Sequence, residues 1–350
     1  MTAMLVYHEL YEKHLINPGH PERPERLEKA LKAIRDSRLL ERGVQMVTPG
    51  QIPLERVYAI HSREYVEAVR QSSMRGGALF TPDTGTNAYT FDAAVMAAAG
   101  GTTAIDKILA GETDNAYIMC RPPGHHAEEG RAFGFCFFNN IAIAAQYLLQ
   151  RHGIQRVMIV DYDGHHGNGT QNSFYSTDKV LYVGFHQDGR WLFPGTGFAD
   201  EIGTGEGRGY NVNLPMCPGA GDDSYLLAFS RIVEPLAAAY RPEFILVSVG
   251  YDCHHSDPLT NLGMTLSGIA SLNGRLLRYA EEYSNRRIAC FLEGGYNLDV
   301  VSAGSVNLLE GLAGLPITAY DDHYKENPAC FEYTKGLIDR VEDLHHGLLL

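Results

Sequence analysis

The stretch VMIVDYDGHHGNGT, from Val157 to Thr170, limits the fold more than any other part of the chain. Val157–Val160 is an unbroken apolar run rich in β-branched residues, the mark of a strand covered on both faces, and such strands belong to parallel sheets. The run breaks off at Asp161, Asp163, His165 and His166, with glycines among and after them. Residues two apart on an extended chain point the same way, so Asp161, Asp163 and His165 are expected to project together. Two carboxylates and an imidazole past the end of a buried strand make a poor core and a good cation site.

The same alternation runs along the chain. Met4–Tyr7, Ala116–Cys120, Val180–Phe185, Phe244–Val249 and Ile288–Leu292 read as further strands. Helical segments at Glu25–Leu40, Phe91–Leu109, Asn140–Gln150, Asp223–Ala239, Leu266–Tyr283, Val300–Leu312 and Lys335–Leu344 lie between and after them; Leu27, Leu31 and Ile34 share one face of the first. Gly76–Thr90 and Gly189–Gly209 read as loops, the first of them long and at the surface. Strands alternating with helices of this length give an α/β chain with a parallel sheet wrapped on both faces. No linker, low-complexity tract or repeat divides it, so residues 1–350 are expected to form one domain.

Composition narrows the function. The chain is 45% hydrophobic and 20% charged, as soluble globular proteins are. A net charge of −13 without a Lys/Arg run argues against nucleic acid as a partner. Six cysteines (Cys120, Cys136, Cys217, Cys253, Cys290, Cys330) without a CxxC pair read as buried thiols of a reducing compartment. MTAMLVYHEL lacks the basic region and apolar core of a signal peptide, and no run approaches ~18 apolar residues. No membrane association is therefore expected; cytoplasm is the default, and a homo-oligomer is left open.

In such sheets ligands bind beyond the carboxyl ends of the strands. Four strand ends carry reactive residues: His125 and His126; Asp161, Asp163 and His165; Asp252; and Tyr296. Asp163, His165 and Asp252 would leave a coordination position open, the catalytic rather than the structural zinc pattern. Two carboxylates neutralise a divalent ion, which then acidifies water less than an all-imidazole site does, where the pKa falls to about 7. A separate general base is needed, and His125 and His126 are the candidates. A lone histidine is more often a satisfied core residue, but two adjacent ones in a Pro-Gly loop at a strand end point the other way. Tyr296 follows Gly294 and Gly295 and could donate to a developing oxyanion, although a tyrosine after two glycines is by itself usually a turn residue.

RPPGHHA, DYDGHHGNGTQ, GYDxxxxDPL and LEGGYN, in this order, resemble the histone deacetylase and acetylpolyamine amidohydrolase family, over nearly the whole chain from HPERPER onward. HPERPER, GNGT and LEGGYN resemble its second class and bacterial relatives. The resemblance implies a three-layer α/β/α arginase/deacetylase-like fold with a central eight-stranded parallel sheet. It also implies one catalytic divalent ion, usually zinc, with ferrous iron the alternative. It makes Asp163, His165 and Asp252 the ligands and His126 the general base and then acid. His125 becomes the electrostatic partner of His126, oriented by Asp161, and Tyr296 the group that polarises the scissile carbonyl. Asn168 faces His126 where first-class enzymes carry an aspartate; an amide raises a histidine pKa less than a carboxylate does, which suits a base. Gly134, Phe135 and Phe193 match the walls of the acyl-lysine channel, and Arg26 an arginine near an internal acetate-release cavity. Asp161 and His165 also match part of a structural potassium site, where Gly184 replaces the serine ligand of many members.

Leu259 lies where polyamine-selective relatives carry an acidic gatekeeper, and the insertion that narrows the channel of bacterial acetylpolyamine enzymes is missing. The resemblance therefore implies hydrolysis of acetyl or related acyl groups on lysine in proteins or peptides, with acetylated polyamines the alternative substrate. Asp83 matches a rim aspartate that holds the substrate backbone, with loop capping the plainer reading. His254 and His255 read as a solvated loop. A catalytically silent acyl-lysine binding protein should have lost a ligand, the histidine pair or the tyrosine, and all are present. A dinuclear manganese ureohydrolase would need closely spaced aspartates that GYDCHHSDP lacks, and no GxSxG elbow supports a serine nucleophile.

Overall fold

The computed structural model describes residues 2–349. Its strands are β1 (Ala3–Val6), β2 (Val44–Val47), β3 (Leu79–Thr81), β4 (Thr84–Gly85), β5 (Asn115–Ile118), β6 (Val157–Asp161), β7 (Val180–Gln187), β8 (Asn211–Met216), β9 (Phe244–Val249) and β10 (Ile288–Leu292). The helices are α1 (Glu25–Asp36), α2 (Arg63–Met74), α3 (Thr90–Leu109), α4 (Asn140–Arg151), α5 (Asn168–Phe174), α6 (Asp222–Ala228), α7 (Glu234–Tyr240), α8 (Leu266–Tyr283), α9 (Leu298–Leu312) and α10 (Pro328–His345). None is long and apolar enough to cross a membrane.

Eight strands form one parallel sheet in the order β2-β1-β5-β10-β9-β6-β7-β8. Every residue of β6 and β9 is buried, as strands with helices on both faces require. On one face α1 packs on α9, α9 on α8, and α8 on α6 and α7; on the other, α2 packs on α3, α3 on α4 and α4 on α5. The chain steps from β5 over two positions to β6, and β9 and β10 later fill the gap. The four strand ends singled out from the sequence therefore belong to four adjacent strands, β5, β10, β9 and β6. Ligands of open α/β sheets collect at such a switch in strand order.

Several boundaries differ from expectation. The two edge strands β2 and β8 carry no apolar run: β2 is mostly solvent-facing, and β8 (NVNLPM) contains two asparagines and Pro215, which a sheet tolerates at its edge. The first helix stops at Asp36, and Arg38 turns to φ 59° before a short 3₁₀ turn at Leu39–Glu41. Pro235, which lacks an N–H, divides the expected 223–239 helix into α6, a π-turn at Phe229–Val233 and α7. The expected surface loop Gly76–Thr90 contains the β3–β4 hairpin. Thr86 there is buried, bonding Ser72 and accepting from the Ala78 N–H (2.9 Å). All six cysteines are free, and five are buried.

Ile159 is fully buried in β6 between Tyr182 of β7 and Leu246 of β9. Ile159→Ala should cost about 2–5 kcal/mol by the cavity it leaves, measured by denaturant unfolding; a loss below about 1 kcal/mol would mean that this core is loosely packed.

Candidate active site

Beyond β6 the chain turns sharply instead of staying extended, and this corrects the expectation that Asp161 points with Asp163 and His165. Asp161, the last residue of β6, accepts the Asp163 N–H (3.1 Å) and directs its other oxygen to His125 Nδ1 (3.0 Å). Asp163 and His165 turn towards Asp252 instead. His165 Nδ1 lies 2.8 Å from Asp252 Oδ2 and 3.3 Å from Asp163 Oδ1, so two carboxylate oxygens and a ring nitrogen converge on one point. Each carboxylate is oriented by the backbone: Asp252 accepts from the Gly164 N–H (2.8 Å), and Asp163 from those of His165 (2.9 Å) and Gly294 (2.7 Å). A β-carbon at position 294 would lie 2.5 Å from Asp252 Oδ2 and 2.6 Å from Asp163 Oδ2, so only glycine leaves room for both.

The electrostatics of this set fit a divalent cation. Burial, with the neighbouring Asp163 charge, pushes Asp252 up to about 7. Burial opposes charge on His165, but its hydrogen bonds to Asp163 and Asp252 outweigh it and raise the ring to about 10. Two buried carboxylates drawing a proton onto the imidazole between them are a donor set short of positive charge.

His125 and His126 follow β5 and lie with their rings 4.0 Å apart, yet they are held in opposite states. Burial disfavours charge on His125, but Asp161, Asp163 and Glu293 overcome it and raise the ring to about 10. His126 is driven well below the ordinary histidine range, first by burial and then by His125 and His165. Its Nδ1 meets Asn168 Oδ1 at 2.8 Å, while the Asn168 amide donates to Glu128 (2.7 Å). Burial, more than the amide partner weighed from the sequence, keeps His126 neutral. Gly134, at φ +53°, makes the room: a β-carbon there would collide with the His126 ring.

Aromatic rings flank these groups. Phe193 packs at 5.2 Å from His126 and 4.6 Å from Phe133; Phe135 packs at 5.9 Å from Tyr296 and 4.6 Å from His20. The Tyr296 hydroxyl is held well above its ordinary pKa by burial, against the lowering effect of Arg26. Arg26, fully buried, spans the turn below it, donating to Gly295 O (2.6 Å), Glu293 O (2.5 Å) and Glu22 (3.2 Å). Leu259 is half-buried, its N–H bonded to Asp257 (2.9 Å). Asp83 is exposed and accepts from Thr81 (2.6 Å) and Thr84 (3.2 Å), the geometry of a turn cap beside Phe135, whose N–H bonds Thr84. At Gly184 the space a serine would need is filled by the Tyr182 ring and hydroxyl, so position 184 offers no side-chain ligand for potassium.

Three residues escaped the sequence reading although two stood inside quoted motifs. Asp257 accepts from the backbone N–H groups of Tyr296 (2.7 Å) and Asn297 (3.3 Å), tying the tyrosine to the loop that carries Asp252. Glu293, raised to about 7 by burial against His125, accepts from the N–H groups of Gly124 (2.7 Å) and His125 (3.1 Å). Phe133 adds a ring beside Phe193. His166 is a satisfied core histidine, bonded to Thr196 (2.8 Å) and Gln171 (3.0 Å). His254 and His255 are not a solvated loop: His254 is 3% exposed, and both rings bond Asp322.

The histone deacetylase domain family matches residues 20–312. A probable deacetylase of Archaeoglobus fulgidus is 39% identical over 321 residues, 91% of this chain and 88% of that protein. A histone deacetylase-like amidohydrolase of Pseudomonas aeruginosa is 37% identical over 83% of this chain and 77% of its own. The crystal structure of the HDA15 HD domain superposes with a TM-score of 0.88 at 32% identity, covering 98% of this chain and 94% of that one.

Two outcomes follow from the charges. With His165 raised to about 10 by its two carboxylates, cation uptake at pH 7 should release about one proton per ion, read by calorimetry in buffers of different ionisation enthalpy; no release would mean that the ring carries no proton in the free site. Asn168→Asp puts a carboxylate against His126, stabilises its charged form and should move the acid limb of the kcat/KM profile to higher pH. An unmoved limb would detach His126 from the rate.

Proposed function

We propose that this chain, which belongs to the histone deacetylase family and is a deacetylase-type hydrolase, removes acetyl or related acyl groups from lysine side chains of proteins or peptides. In this reading residues 1–350 act as one deacetylase domain. The observation that carries it is the His125–His126 pair, its rings 4.0 Å apart and backed by Asp161 on one side and Asn168 on the other, beside the Asp163–His165–Asp252 set. A divalent ion held by those three residues, zinc in this reading, would polarise the scissile carbonyl and make water more acidic.

The remaining steps belong to the protein. With Nδ1–H donated to Asn168, His126 presents a bare Nε2 that takes the proton of the attacking water. His125, charged and held by Asp161, stabilises negative charge as it develops beside it. Tyr296, kept protonated, donates to the carbonyl oxygen as that oxygen becomes an anion. The proton on His126 then passes to the leaving amine, and acetate and lysine separate.

The aromatic rings of Phe133, Phe135 and Phe193 give an aliphatic lysine stem apolar contacts and keep water from it. Leu259 offers no carboxylate for the distant ammonium of an acetylpolyamine, which favours acyl-lysine. Arg26 supports the tyrosine turn through Gly295 O and Glu293 O, and its two remaining N–H groups can meet a departing acetate, as the resemblance implies.

Acetate release from an acetyl-lysine peptide should be blocked by a chelator and restored by zinc. Tyr296→Phe and His126→Ala should each lower kcat by about 10²–10⁴-fold with bound metal unchanged. Native rates in either variant would remove that residue from the chemistry, and preferential hydrolysis of an acetylpolyamine would overturn the lysine assignment.

A further inference from the structure

The sequence HHS that follows Asp252 and Cys253 has no part in the chemistry above, yet the fold brings it against a segment far along the chain. His254 Nε2 lies 2.9 Å from Asp322 Oδ2, and His255 Nε2 lies 2.6 Å from Asp322 Oδ1. The two rings are 4.3 Å apart and tilted by 31°. Nothing in the catalytic set reaches these atoms: that set closes on Asp163 and His165, and this one on the loop before α10.

We propose that His254, His255 and Asp322 form a second divalent-cation site, distinct from the one that serves hydrolysis. Three potential ligand atoms converge here as they do at Asp163, His165 and Asp252, all within 4.8 Å of one another. Each ligand is also fixed from behind, as metal ligands usually are. Asp322 Oδ2 accepts the Leu266 N–H (2.7 Å) at the start of α8. Ser256 holds the His254 ring from behind, its Oγ 3.0 Å and its donating backbone N–H 3.2 Å from Nδ1. His255 stacks on Tyr324 at 5.6 Å with an interplanar angle of 19°. The His255 side chain is 25% exposed and that of Asp322 12%, so an ion can enter, and water can fill the remaining positions.

Two imidazoles and one carboxylate suit zinc, cobalt, nickel or ferrous iron rather than magnesium or calcium, which prefer oxygen. A bound ion would clamp the segment around Asp322 to the loop after β9. Ser256 Oγ in that loop accepts from Asn297 Nδ2 (2.8 Å), and Asp257 holds the Tyr296 N–H. The clamp would thus stiffen the mount of Tyr296 without touching the reacting atoms. The competing account is a proton-shared latch, in which both rings donate to Asp322 and no ion is bound.

The site stands apart from the deacetylase reading and is tested by counting metal. Holoenzyme freed of loose metal is titrated with zinc at pH 7.5, with binding followed by calorimetry and elemental analysis. The native protein should take up a second equivalent with micromolar or tighter affinity. His255→Ala and Asp322→Asn should each weaken that step by at least about tenfold, while the first equivalent and the rate it supports stay as in the native protein. His255→Ala removes a partly exposed ring and leaves the Asp322–Leu266 bond intact, so lost uptake in a folded variant reports on ligation. Saturation at one equivalent in the native protein, or a second equivalent that both variants retain at native affinity, overturns the proposal in favour of the latch.

Discussion

Buried negative charge is the condition that the rest of the structure answers to. Glu22, Asp161, Asp163, Asp252, Asp257 and Glu293 are all buried around the ends of the central strands. An unpaired carboxylate in such surroundings would cost several kcal/mol. Most are satisfied by backbone N–H groups, many of them from glycines or their neighbours: Gly164 for Asp252, Gly294 for Asp163, Gly124 and His125 for Glu293, Tyr296 and Asn297 for Asp257. Amide dipoles orient a carboxylate without cancelling its charge. The net deficit therefore collects where Asp163 and Asp252 face each other across His165, and there a cation is stabilised most.

Arginine does a different job. Glu22 is held down to about 2: burial raises it, but Arg121, then His14 and Arg26, more than offset that. The resulting Arg121–Glu22–Arg26 cluster is buried and charge-assisted throughout, and it ends in the two carbonyls, Glu293 O and Gly295 O, that shape the turn before Tyr296. Such a cluster adds little net stability over an apolar one, but it fixes geometry. It aims the hydroxyl-bearing turn, while Asp257 pins the same turn from the other side.

What the sequence made legible follows from the same physics. Strands in the middle of the sheet are apolar on both faces, so β6 and β9 stand out as runs; the edge strands β2 and β8 have one side free of a neighbouring strand and carry Gln45, Asn211 and Pro215, which erase the pattern. The metal-like set was legible because its members close two strands with residues that no core would hold. The direction of Asp161 was misread from strand alternation, which holds only while the backbone is extended, and the chain turns after β6; its pairing with His125 is the one the family resemblance implied. Asp257 and Glu293 were missed because they act through backbone N–H groups of distant residues, a pairing with no local signature. The partner of His254 and His255, Asp322, lies 68 and 67 residues away, so nothing near them marked the pair as held in place.

The two histidines after β5 show why neighbouring identical side chains need not share a state. Their rings are 4.0 Å apart, so protonating one discourages protonation of the other. Which one keeps the proton is decided by what lies behind them: Asp161 behind His125, the uncharged Asn168 behind His126. Burial penalises charge on both, and only His125 has carboxylates enough to overcome it. A charged His125 then lowers its neighbour further, so the acid of the pair helps to make the base. The division needs no difference between the imidazoles themselves. It rests on one oxygen of Asp161 having turned away from the Asp163–His165–Asp252 set, which is the departure from strand geometry that the sequence pattern could not foretell.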